Sequence, residues 1–154
     1  PPSSRRVLQY RGSGSYIGKK LLTDFVRDLM PTDVAKAFYD TYKLSKDEIM
    51  DSVYTKPLAN RFCASFSKFV YDNNVNIEYT RKIVDDAFEA FFANLVSKYP
   101  NYQDYTFNCI GSVGYNFRNV LEDKASQYGM KTGKILRSPI DDLVQFHIDR
   151  YSNK

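Results

Sequence analysis

"YTFNCIGSVGYNF", Tyr105 to Phe117, changes its periodicity partway along, and that change decides the fold class. Tyr105 to Ile110 is a short run rich in aromatic and β-branched residues, the composition of a strand. It stops at Gly111-Ser112, and helical spacing takes over through Val113, Phe117, Val120 and Leu121 until Gly129. "GKILRSPIDDLVQFH" repeats the arrangement, with a short strand over Lys134 to Arg137 and then a helix capped by Ser138. Pro139 at N1 and Asp141 at N3 suit that helix start. Two strand-then-helix units in succession predict a parallel sheet.

The residues before this pair read as helical. Ile17, Leu21, Leu22, Phe25, Val26 and Leu29 follow a 3.6-residue period and predict a helix from Ser15 to about Met30. Gly14 and Gly18 share one of its faces, and a glycine inside a helix costs about 1 kcal/mol relative to alanine. Close approach of another backbone or of a ligand would compensate. Pro31 restarts the chain, with Val34, Ala37 and Phe38 marking a second helix. "SKDE", Ser45 to Glu48, is a capping box for a third helix through Ile49 to Tyr54. "KPLANRFCASFSKFV" predicts a fourth, with Phe62, Phe66, Phe69 and Val70 on one side, and a long fifth covers about Glu78 to Lys98. Residues 1–12 read as an irregular lead-in. The class expected is α/β, predominantly helical, with a few mostly parallel strands. So few strands do not make a stable sheet alone, which hints at a longer protein.

Composition narrows the function classes. The chain of 154 residues is the size of one domain, 43% hydrophobic and 26% charged. No apolar run approaches the ~20 residues that span a bilayer, and "PPSSRRVLQY" lacks the apolar stretch of a secretory signal, which points to the cytoplasm and away from a membrane. Cys63 and Cys109 have no CxxC spacing, so they read as buried thiols rather than zinc ligands or a disulfide. A net charge of +4 and 16% aromatic content invite a nucleic-acid reading. However, Lys and Arg are dispersed among Asp and Glu, never more than two in a row, and the aromatics sit at core spacing, so no nucleic-acid partner is expected.

No phosphate motif is present as written. In "YRGSGSYIGKKLL" the P-loop spacing fails: Gly12 to Gly18 leaves five residues where four are needed, Gly14 to Gly18 leaves three, and Lys20 replaces the hydroxyl residue. The dinucleotide fingerprint fails because Ile17 stands where its third glycine belongs. Gly111-Ser112 opening a helix is an arrangement whose amides can meet a phosphate. On spacing alone an ordinary strand-to-helix turn is the default reading. His147, on an amphipathic C-terminal stretch, reads as a packing or surface residue. Asp85-Asp86 and Asp141-Asp142 are adjacent, so their side chains diverge by ~100° on a helix and share no site.

Four collinear blocks, "GSGSYIGKKLL", "VYTKPLANRFCASFSKFV", "FNCIGSVGYNFRNVL" and "GKILRSPIDDLVQFH", resemble the C-terminal half of the bacterial N-acetylglucosamine kinase-like proteins of the BadF/BadG/BcrA/BcrD ATPase family. That family belongs to the superfamily of actin and the sugar kinases. The similarity runs in order from Gly12 to His147. It implies a partial RNase H-like (actin-like ATPase) domain over residues 1–154 and ATP with Mg as cofactor. In the intact protein, a phosphoryl group would pass from ATP to a sugar hydroxyl. The family's adenosine motif places Gly111, Ser112, Val113 and Gly114 against the nucleotide, with Asn116 beside them. Gly12, Ser13 and Gly14 match the end of a sugar-side Gly-Asp-Glu-Gly-Ser-Gly motif, whose acids are replaced here by Tyr10 and Arg11.

The family's Asp-x-Gly-x-Thr phosphate loop and catalytic aspartate have no match in this sequence. No catalytic or metal-binding residue is therefore expected within the 154 residues, and the chain alone should be inactive. ATP or ADP and a sugar are the expected ligands. A second copy or the missing N-terminal half is the expected protein partner. The alternative is a non-catalytic helical binding or dimerisation module that keeps only the fold.

Overall fold

The computed structural model describes residues 7–10, 14–55 and 59–138 of the chain. The chain divides into two compact units, Ser13–Phe88 and Pro1–Gly12 with Glu89–Lys154, the division falling within one long helix.

The first unit, Ser13–Phe88, is helical among its described residues. Helix α1 spans Gly14–Val26, α2 Thr32–Tyr42, α3 Lys46–Thr55, α4 Ala59–Ala64, α5 Phe69–Asp72, and α6 runs from Ile77 to Asn94. Helix α1 stops four residues before the expected Met30. Asp28 takes a left-handed conformation (φ 58°), and the Leu29 and Asp28 amides donate to the carbonyls of Asp24 and Phe25 (2.7 and 3.3 Å). That pair of bonds is a Schellman stop built on aspartate. Ser45 caps α3 as the capping box predicts, its hydroxyl oxygen accepting from the Glu48 amide at 3.1 Å.

The single fourth helix expected over "KPLANRFCASFSKFV" is instead two short helices, α4 and α5, joined by turns. Ser65 and Ser67 donate their hydroxyls to the carbonyls of Phe62 and Ala64 (2.6 and 2.8 Å), and the backbone tightens to i→i−3 bonds through Phe69. The core gathers around Phe38, whose ring meets Phe25, Tyr42, Phe66 and Phe69 at centroid distances of 4.9–5.8 Å. Ile17, Leu21, Val84 and Phe88 are fully buried with it.

Glycine placement explains the approach of α4 to α1. A Cβ on Gly18 would overlap the backbone carbonyl of Cys63, while one on Gly14 would lie 3.3 Å from Ser67 Oγ and 3.5 Å from Ala64 Cβ. The ligand alternative for this glycine face is not needed.

The second unit carries a three-stranded parallel sheet in the order β1-β2-β3, formed by Val7–Tyr10, Thr106–Ile110 and Lys131–Leu136. The irregular lead-in expected over residues 1–12 is corrected at Val7–Tyr10. This segment pairs with β2 from Val7↔Thr106 to Tyr10↔Cys109, a partner almost a hundred residues away that local pattern does not reveal. The fifth expected helix ends early too, at Asn94, followed by a 3₁₀ turn at Val96–Lys98. After β2 the helical stretch is broken at Phe117 (φ −116°, ψ 35°) into α7, Ser112–Asn116, and α8, Arg118–Gln127. Phe107 and Cys109 face the core with Phe92, Val96, Leu121 and Ala125, all buried. The helix expected from Pro139 onward lies outside the described residues. Among the described residues no helix is long and apolar enough to cross a membrane.

Candidate functional site

The three strands run the same way, so their carboxyl ends share one edge of the second unit, the edge where open α/β sheets take ligands. Gly111 stands at the end of β2 with φ 153° and ψ 154°, a region essentially restricted to glycine. Its amide donates to the Leu136 carbonyl at 2.9 Å, tying the ends of β2 and β3 together. Its carbonyl accepts from the Tyr115 amide at 3.0 Å and so starts α7. Ser112, Val113 and Gly114 are the first three residues of that helix, whose amides have no intrahelical acceptor by geometry.

The five nucleotide candidates fall in one turn, but their side chains do different things. Val113 is buried and Gly114 points inward, where a Cβ would overlap Cys109 Sγ and lie 3.3 Å from Leu121 Cδ2. The thiol beneath Gly114 by itself requires a glycine there. The exposed Asn116 donates its side-chain amide to the Ser112 carbonyl at 2.8 Å, one turn back. Only backbone atoms and the Ser112 hydroxyl remain from this group to meet a ligand.

A bulge sits next to this turn. From Phe107 to Cys109, β2 advances two residues while β3 advances three, from Thr132 to Ile135. Asn108 fills the gap, its Oδ1 accepting from the Lys134 amide at 2.9 Å. A Cβ at Gly133 would overlap that same oxygen, so the bulge requires both residues. Gln9, Asn108, Cys109, Ile110, Lys134 and Leu136 line a hollow of 40 Å³ there. The guanidinium groups of Arg118 and Arg137 lie 4.8 and 5.1 Å from the ring centre of Tyr115. Sequence reading missed these residues. The one local signal was Gly133, immediately before the strand expected from Lys134, which the structure extends back to Lys131.

Gly12 and Ser13 lie outside the described residues, and Gly14 opens α1 against Ser67. Tyr10, at the first acidic position of the resembled motif, is buried and stacks on Phe91 with ring centres 3.7 Å apart. Burial, with the neighbouring Cys109 second, pushes its phenol well above the usual range. Tyr10 therefore serves the core. Both cysteines are free and buried, and burial raises the Cys109 thiol to about 11.

Among the described residues no group of three or more His, Cys, Asp or Glu is placed to hold a metal ion. A nucleotide fits the backbone at Gly111 to Gly114 in chemistry, through N–H donors at a helix start.

No family model and no curated protein matches the chain. Among solved structures it is similar to the "putative N-acetylglucosamine kinase" of Porphyromonas gingivalis, with 31% identity over 90% of this chain and a TM-score of 0.72. The chain spans 48% of that protein's length. The fold is thus kinase-like: mostly helical, with a small parallel sheet.

Proposed function

We propose that the chain is the nucleotide-binding C-terminal portion of an ATP-dependent amino-sugar kinase of the BadF/BadG/BcrA/BcrD type, acting in the cytoplasm. All 154 residues would belong to one RNase H-like domain of the actin-like ATPases. The observation that carries this reading is Gly111. A glycine-only backbone conformation stands at the carboxyl end of a central strand and opens a helix, in a chain 31% identical to a kinase-like structure.

ATP with Mg supplies the transferable phosphoryl group when bound, and such transfer rests on positioning and charge neutralisation. This chain's contribution is to bind. The Ser112, Val113 and Gly114 amides donate to the nucleotide, and Gly111 lets it approach the backbone. The base that takes the sugar proton and the rest of the phosphate cradle would come from the other half of the protein. ATP or ADP, a sugar, and that half or a second copy are the partners this reading requires.

Calorimetric titration of ADP with Mg into the 154-residue chain tests it. Heat that saturates at millimolar nucleotide, and that disappears in Gly111→Val with its thermal transition retained, is the expected result. No heat with the unmodified chain overturns the reading.

A second reading, a non-catalytic association module, draws on the sheet. Among the described residues β1 and β3 each have one neighbouring strand, and such edges pair readily with another chain. Sedimentation giving a monomer at high micromolar concentration would remove it.

A further inference from the structure

The unit Ser13–Phe88 contains a hollow that the kinase reading leaves without a role. Lys19, Leu22, Thr23, Val26 and Arg27 form one stripe of α1 and its final turn, at spacings of three and four residues. Ile49 and Met50 of α3 and Cys63 of α4 face this stripe and border with it a hollow of 150 Å³ that is open to solvent on one side. Leu22, Ile49 and Cys63 are buried, so the floor is apolar. A space of about this volume accommodates a body of about six carbons.

The charge at the rim has one sign. Lys19 and Arg27 are both exposed, and among the described residues neither side chain has an ion pair. The nearby acids on this stretch are engaged elsewhere. Asp24 is buried, accepts from the Tyr79 hydroxyl at 2.7 Å and lies 3.1 Å from the Lys20 ammonium. Asp28 pairs with Lys46. No acidic residue is among those lining the hollow. The charge of Lys19 is felt at the floor, where it partly offsets the upward push of burial on the Cys63 thiol.

We propose that this hollow binds a small organic carboxylate, its apolar body of about six carbons against Leu22, Ile49 and Cys63 and its carboxylate between Lys19 and Arg27. Phosphate or a sugar phosphate fits poorly, because neither has an apolar body to replace the missing water contacts. The inference stands apart from the nucleotide site, which lies in the other unit.

Titration of the ¹⁵N-labelled 154-residue chain with hexanoate, 1-hexanol and acetate tests it. Hexanoate should give saturable amide shifts at Leu22, Thr23, Val26, Ile49, Met50 and Cys63, with a Kd of about 1 mM. Hexanol and acetate should bind several-fold more weakly. Lys19→Gln with Arg27→Gln, two exposed changes that leave the core intact, should weaken hexanoate by about tenfold and leave hexanol unchanged. Absence of saturable shifts at those amides overturns the proposal. Equal binding of hexanol and hexanoate, or hexanoate binding unaffected by the double substitution, also overturns it.

Discussion

Gly18→Ala isolates the packing of the helical unit, because two opposing effects can be weighed from the structure. Alanine gains about 1 kcal/mol of helix propensity over glycine in a helix interior. Against this, the added Cβ overlaps the Cys63 backbone carbonyl, which cannot rotate away as a side chain would. Helix α4 must then move off α1, loosening the burial of Ile17, Leu21 and Cys63, at present 0%, 0% and 3% exposed. Fully burying such an aliphatic side chain contributes about 1.5–3 kcal/mol, so losing half of it at two residues costs about 2 kcal/mol. The net destabilisation is about 1 kcal/mol. With a urea m-value of about 2 kcal/mol/M, the midpoint followed by far-UV circular dichroism falls by about 0.5 M. Gly14→Ala is the control. Its new methyl meets the Ser67 hydroxyl and the Ala64 methyl at 3.3 and 3.5 Å, contacts that small shifts relieve, so its midpoint stays near wild type. A Gly18→Ala midpoint equal to or above wild type would refute the reasoning.

Two further outcomes follow from buried titratable groups. Burial raises the Cys109 thiol from 9.0 to about 11, so the folded state holds its proton where the unfolded state has lost it. That stability is complete below pH 9 and is lost as pH rises through 11. It amounts to about 2 kcal/mol lost by pH 10.5, and urea melts should show the Cys109→Ala slope to be flatter over that range. Lys124 is buried with its ammonium 3.6 Å from Glu89, which also accepts from the Tyr128 hydroxyl. Removing only the acid, Glu89→Ala, should cost about 1–2 kcal/mol, whereas Lys124→Met should cost less than Glu89→Ala in the same melts.

Much of the architecture was legible because it is local. The β2–Gly111–α7 junction shows a change of periodicity at two small residues, and the Ser45 cap lies within four letters of its partner. What escaped is non-local or competes with a continuing pattern. Val7–Tyr10 is four residues long, and its strand character comes from pairing with Thr106–Cys109. Phe62, Phe66, Phe69 and Val70 keep helical spacing across a turn that Ser65 and Ser67 open, so the apolar pattern hid the break. Gly114 was expected to make room for a ligand. Its inward contact with Cys109 depends on how α7 folds back over β2, which letter spacing does not encode. Asn108 and Gly133 became recognisable only once the β2–β3 register set them side by side. The cluster on α1, α3 and α4 likewise needs three helices to exist.

Nucleotide binding at the turn after β2, as proposed above, is tested most directly by amide mapping of the labelled chain with ADP and Mg. Saturable shifts centred on Gly111, Ser112, Val113 and Gly114, absent with adenosine-free Mg, are the predicted result. Shifts that avoid this turn, or none at millimolar ADP, would contradict it.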